Sequence, residues 1–153
     1  ARKRGIKFTA NEVSAVRADL VRQVVNGDRV LVGDGRDIGK HEEKFDAILI
    51  DAPCSGLGVL KRNPDAKWKL QPEFIDNIKK VQAEVLENYS KIVKPGGKLV
   101  YATCSVLPSE NQNQIVEFLA SESGKDFRLV KDNKVLAHTS GFDGFYMAQL
   151  ERK

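Results

Sequence analysis

The chain has two cysteines, and each sits among neighbours that leave a thiol room to react: Asp51-Ala52-Pro53-Cys54-Ser55-Gly56 and Tyr101-Ala102-Thr103-Cys104-Ser105-Val106. A thiolate adds readily to an electron-poor carbon, provided its pKa is lowered or a nearby group takes up the charge that develops on the substrate. Asp51 is one candidate for that group. The competing reading for each cysteine is packing, because cysteine is among the most frequently buried residue types. A constrained Pro-Cys turn and small flanking residues favour chemistry, since together they leave space for a planar ligand. A structural disulfide is less natural in a chain with two cysteines and 30% charged residues, a composition that fits a reduced, cytoplasmic setting. A metal or redox pair has little support: there is no Cys-x-x-Cys, and only His41 and His138, both in segments that read as loops, could complete a site.

Three carboxylates belong to the same picture. Glu12, Asp34 and Asp51 each follow an apolar run, so they can line neighbouring strand ends, where acids accept hydrogen bonds from ribose hydroxyls or an adenine amino group. Turn formation or helix capping serves Asp34 equally well, since it stands between Gly33 and Gly35. The formal net charge is +4, with basic residues clustered at Arg2, Lys3, Arg4 and Lys7 and again at Lys61, Arg62, Lys67 and Lys69, beside the single Trp68. Such clusters neutralise phosphates. A solvated surface is the alternative, and the position of the second cluster just after Cys54 favours phosphate.

These residues need a frame, and the apolar pattern supplies one. At 153 residues the chain is one domain by length, and no stretch approaches the roughly 18 to 20 consecutive apolar residues of a membrane helix. A short run over 6–10 comes first. Asn11 is then expected to cap a helix whose Val13, Val16, Leu20, Val21, Val24 and Val25 form an inward stripe, closed by Asn26-Gly27. Strands are expected over 29–33 and 45–50, the latter buried on both faces as in a parallel sheet. A long loop over 52–70 holds Cys54, the basic residues and Trp68; a loop of that length in a compact domain is more often functional than idle. Gln71-Pro72 opens the longest helix, with Ile75, Ile78, Val81, Val85, Leu86, Tyr89, Ile92 and Val93 on one stripe and Pro95-Gly96-Gly97 as its stop. A strand over 98–102 delivers Cys104. Ser109 and Glu110 start a helix with Ile115, Val116, Phe118 and Leu119 turned inward, and two strands, 127–130 and 145–150, finish the chain. The succession implies an α/β sandwich with a mainly parallel sheet and right-handed crossovers.

The segments Asp51 to Gly56 and Ala102 to Ser105 resemble the fourth and sixth motifs of RNA cytosine-5 methyltransferases of the Sun family. Arg62-Asn63-Pro64-Asp65-Ala66-Lys67-Trp68, Leu107-Pro108-Ser109-Glu110-Asn111 and Gly141-Phe142-Asp143-Gly144-Phe145-Tyr146 resemble its bacterial 16S ribosomal RNA branch, the Fmu or RsmB type. The resemblance implies a Rossmann-like class I methyltransferase sandwich with a final antiparallel hairpin-like strand. It implies S-adenosyl-L-methionine as cofactor, held by Glu12, Asp34, Asp51 and Pro53, with Glu12 on the ribose and Asp34 at the adenine edge. Cys104 would attack C6 of a cytosine in ribosomal RNA, Cys54 would assist release of the adduct, and Asp51 would hydrogen-bond near N3. The base must be unpaired or extruded, and Lys61, Arg62, Lys67 and Trp68 are the residues expected to bind RNA. Trp68 can equally anchor its loop on the sheet edge.

The chain departs from the family at its start, where the Gly-rich first motif and the first sheet strand are not found. Residues 1–153 therefore read as part of a longer methyltransferase, inactive alone. Without that strand, the runs at 6–10 and 45–50 either pair directly or leave the fragment marginally folded. Two other functions compete. A DNA cytosine-5 methyltransferase would make Cys54 the nucleophile, and a non-catalytic RNA-binding module would keep the fold without needing the thiols.

Overall fold

The computed structural model describes residues 5–25 and 29–153, and the side chain of Lys69 is also outside the description. Arg2, Lys3, Arg4 and the Asn26-Gly27 helix stop lie outside the described residues. A parallel pair opens the fold, β1 (Thr9–Glu12) alongside β2 (Arg29–Val32), with helix α1 (Ala15–Val25) crossing between them. Four further strands form a second sheet in the order β3-β4-β6-β5. Here β3 (Phe45–Asp51) and β4 (Val93–Thr103) are parallel, whereas β6 (Phe145–Arg152) runs antiparallel to both β4 and β5 (Phe127–Val135). Between them lie short helix α2 (Ala66–Lys69), long helix α3 (Pro72–Ser90), helix α4 (Gln112–Ala120) and the single turn α5 (Ala137–Ser140).

Register explains the core. Ile48 pairs with Leu99 and Ile50 with Tyr101, while Leu150 and Ala148 sit opposite the same two residues on β6. Residues paired across strands share a face, so these six form one layer. Val85 and Leu86 of α3 and Ile115 and Phe118 of α4 close over that layer. Phe118 meets Phe127 edge to face, with ring centroids 5.5 Å apart. Pro72 at the first turn of α3 starts that helix without losing a hydrogen bond.

Several expectations are corrected. The strand at 45–50 is buried on one face only: Leu49, on the other, is 68% exposed. Asn11 is a strand residue, its side-chain amide donating to the Gly33 carbonyl and the Tyr89 hydroxyl. Ser14 caps α1 instead, its hydroxyl accepting from the Arg17 N–H at 3.4 Å. Most of the stripe expected to turn inward faces out, with Val16 75% and Val24 79% exposed and Val13 and Leu20 exposed as well; Val21 and Val25 are half-buried, and Ala18 is fully buried. Val93 belongs to β4, and Pro95-Gly96-Gly97 is an excursion within that strand, across which the partner of β3 jumps from Val93 to Lys98. Val116 is exposed. Direct pairing between the first strand and β3 does not occur: β1 pairs with β2, β3 with β4, and the two sheets connect through the turn at Gly35–Lys40 packed on α3.

Candidate active site

Parallel pairing of β3 and β4 brings their carboxyl ends side by side, with Asp51 opposite Ala102. The two cysteine turns start there. The Ala52 N–H donates to the Ala102 carbonyl at 2.9 Å and the Gly58 N–H to the Cys104 carbonyl at 2.8 Å, so each turn is stitched to the other by backbone. A third segment joins through the Gly144 N–H, which donates to the Gly58 carbonyl at 2.7 Å. Glycine is required at 58 by close approach: a Cβ there would stand 2.1 Å from the Gly144 oxygen and 2.6 Å from that of Cys104.

The consequence is a thiol pair. Cys54 Sγ and Cys104 Sγ lie 3.3 Å apart, both free and both partly accessible. Their acidities are driven in opposite directions. The hydrogen bond from Cys54, aided by backbone N–H, brings Cys104 down to about 7, against burial and the charges of Asp51 and Glu110. The same hydrogen bond, then burial, pushes the Cys54 thiol far up. The direction of these shifts favours Cys104 as the sulfur that ionises first, with the Cys54 thiol as the hydrogen-bond donor that supports it. Asp51 is exposed, makes no side-chain hydrogen bond or ion pair among the described residues, and is near enough to oppose the Cys104 charge. Pro53 is exposed beside it, and its carbonyl accepts from Gln82 Nε2 at 2.8 Å.

The other candidates divide. Glu12 and Asp34 stand together at the ends of β1 and β2, each held by an arginine. Glu12 Oε1 accepts from Arg17 at 2.7 Å and from the Ser14 N–H at 2.9 Å, and Arg17 chiefly lowers its pKa. Asp34 uses both oxygens on Arg36, which lowers its pKa in the same way, and accepts from the Arg36 N–H as a turn cap. An open groove of about 350 Å³, lined in part by Asn11, Asp34 and Asp37, runs beside them. Trp68 is 78% exposed, which removes the loop-anchor reading, and Lys67 Nζ stands 4.8 Å over its ring. Lys61 is exposed, and Arg62 pairs with Asp143 at 2.7 Å, tying its loop to the segment around Gly144. Among the described residues no group of three His, Cys, Asp or Glu is placed to hold a metal ion, and no helix is long and apolar enough to cross a membrane.

Sequence reasoning missed Ser55, Ser105, Glu110 and Gln82. All four are buried, with Ser55, Ser105 and Gln82 gathered around the Glu110 carboxylate beneath the two turns. The one available signal was Gln82, a polar residue interrupting the apolar stripe of α3.

Parallel strands delivering paired turns at their carboxyl ends, followed by a reversed strand inserted next to β4, define a Rossmann-like methyltransferase fold. Solved structures bear this out: the crystal structure of PH0851 superposes with a TM-score of 0.87 at 32% identity, over 95% of this chain and 37% of that one. NSun6 from Pyrococcus horikoshii gives 0.82 at 24% identity, over 95% and 41%. The family described as 16S rRNA methyltransferase RsmB/F matches residues 3–151, and the chain belongs to it. A curated relative, ribosomal RNA small subunit methyltransferase B of Yersinia enterocolitica, is 42% identical over 97% of this chain and 36% of its own length. The chain thus spans about a third of the relatives it matches, and the resemblance read from the cysteine motifs is borne out.

Proposed function

We propose that the protein containing this chain transfers a methyl group to C5 of a cytosine in 16S ribosomal RNA through a covalent adduct on Cys104. The observation that carries the reading is the thiol pair 3.3 Å apart with opposed acidities. Family membership supports a ribosomal RNA substrate and S-adenosyl-L-methionine as donor. When bound, that cofactor supplies the methyl group.

Cys104, as thiolate near neutral pH, adds to C6 of the base, forming a C–S bond and making C5 nucleophilic. Asp51, exposed at the end of β3, orients the base near N3. Once its sulfur is bonded to carbon, Cys104 no longer accepts the Cys54 proton. The strongest influence raising the Cys54 pKa then disappears, leaving only burial to oppose ionisation. Cys54 therefore gives up its own proton to solvent more readily at the stage that needs a base, and stands there as a thiolate. It takes the C5 proton, the C–H electron pair restores the C5–C6 double bond, and Cys104 leaves as thiolate. Two thiols so coupled divide addition from release, with Cys104 performing the first and Cys54 the second.

The cofactor fits the strand-end acids in part. The Arg17 and Ser14 hydrogen bonds to Glu12 all fall on Oε1, which leaves Oε2 to a ribose hydroxyl. Asp34 reaches an adenine edge only when Arg36 turns aside, and Pro53 with Asp51 borders the site from β3. RNA binds across the loop that follows Cys54, with Lys61, Arg62 and Lys67 at phosphates and Trp68 offering a stacking face worth about 1–3 kcal/mol per base.

The test uses the full-length protein, labelled cofactor and unmodified small-subunit RNA, digested to nucleosides. Label in 5-methylcytidine is the expected outcome; label in any other nucleoside, or none, contradicts the reading.

A further inference from the structure

Beneath the two cysteine turns lies a carboxylate that the proposed chemistry does not use. Glu110 is 0% exposed, in the short turn Pro108–Glu110 ahead of α4. Its Oε1 accepts from the Ser55 hydroxyl at 2.6 Å and the Ser105 hydroxyl at 2.7 Å. Its Oε2 accepts from the Ser55 N–H at 2.8 Å and Gln82 Nε2 at 3.0 Å. Four donors occupy the four acceptor sites of one carboxylate. Burying such a group costs several kcal/mol unless its hydrogen bonds are complete, and here they are.

The donors are placed with a symmetry that matters. Ser55 follows Cys54 by one residue and Ser105 follows Cys104 by one, so a group that fixes both serines fixes both cysteines to within a peptide unit. The two serine oxygens stand 3.3 Å apart, as the two sulfurs do. Gln82 extends the clamp into α3 and, through the same Nε2, to the Pro53 carbonyl. The Glu110 backbone is itself held, its carbonyl accepting from the buried Tyr101 hydroxyl at 2.8 Å. Asn111 next to it grips the second turn from the far side, accepting from Thr103 at 2.6 Å and donating to the Ser105 carbonyl at 3.0 Å.

We infer that Glu110 is a positioning residue that sets the separation of the Cys54 and Cys104 thiols by clamping Ser55 and Ser105. The inference rests on the proposed use of the thiols only for its catalytic consequence; its test reads their spacing without RNA or methyl donor, so it stands or falls independently of that function.

The experiment equilibrates the full-length protein in glutathione buffers, where protein dithiol plus glutathione disulfide exchanges with protein disulfide plus two glutathione thiols. The Cys54–Cys104 linkage is quantified by peptide mass spectrometry. The ratio gives the effective concentration of one thiol at the other. Glu110→Gln, which places an amide donor where donors already point, is expected to lower that concentration at least tenfold, raising the pair's potential by about 30 mV. Leu99→Ala, a core truncation away from the turns, should lower thermal stability and leave the ratio unchanged. A folded Glu110→Gln protein with the wild-type ratio overturns the inference, as does an equal shift in Leu99→Ala. If Glu110→Gln does not fold, Ser55→Ala and Ser105→Ala decide: a threefold or greater fall in each supports the clamp, and unchanged ratios overturn it.

Discussion

Cys104 and Cys54 share one hydrogen bond that lowers the first thiol and raises the second, and that asymmetry has a measurable sign. Alkylation of Cys104 by iodoacetamide should rise through a midpoint of about pH 7, where an ordinary thiol rises near about 8.5. Because the Cys54 hydrogen bond is the largest influence lowering it, Cys54→Ala should move the midpoint upward and slow alkylation at neutral pH. Mass spectrometry of the Cys104 peptide across pH reads this directly; a midpoint unmoved by Cys54→Ala would exclude the hydrogen bond as the cause. Both cysteines and Asp51 were legible from the residues, because a Pro-Cys turn and a strand-end acid are local features. Glu110 was not. A carboxylate at a helix start is favourable on the surface as well, and nothing local in the sequence says that this one turns inward beneath two serines fifty residues apart.

Elements deliver these residues by register. The pairing of β3 with β4 and the antiparallel insertion of β6 put three separate loops in backbone contact, and Gly58 is the point at which they touch. Gly58→Ala would drive a methyl group into two carbonyl oxygens, so the Cys104 turn must move. The expected result is a folded protein whose trapped RNA adduct forms at least tenfold more slowly, measured by gel shift under denaturing conditions; wild-type adduct formation would show that the loop contact is dispensable. Strand and helix order was readable because each crossover carries its own punctuation, as Pro72 does for α3. What faced solvent was less readable. Val16, Val24 and Leu49 have the pattern of core residues, yet periodicity reports which residues share a face and not what covers it.

At the scale of the molecule, one face of the four-stranded sheet is closed by α3 and α4 and the thiol pair opens at its carboxyl edge, where open α/β sheets place their chemistry. The two acid-bearing strands β1 and β2 stand apart in a sheet of their own, joined through α3 by Asn11 on Tyr89 and by Arg36 on Glu84. The thiol half of the site is therefore built on the main core, and the acid half is attached to it across one helix. Which sulfur makes the covalent bond decides the mechanism. Full-length protein carrying Cys104→Ala or Cys54→Ala is incubated with cofactor and either 5-fluorocytosine RNA or the natural RNA, and covalent complexes are counted on denaturing gels. Loss of the 5-fluorocytosine adduct in Cys104→Ala, with accumulation of the natural-RNA adduct in Cys54→Ala, is predicted; adduct that survives in Cys104→Ala and vanishes in Cys54→Ala would contradict it.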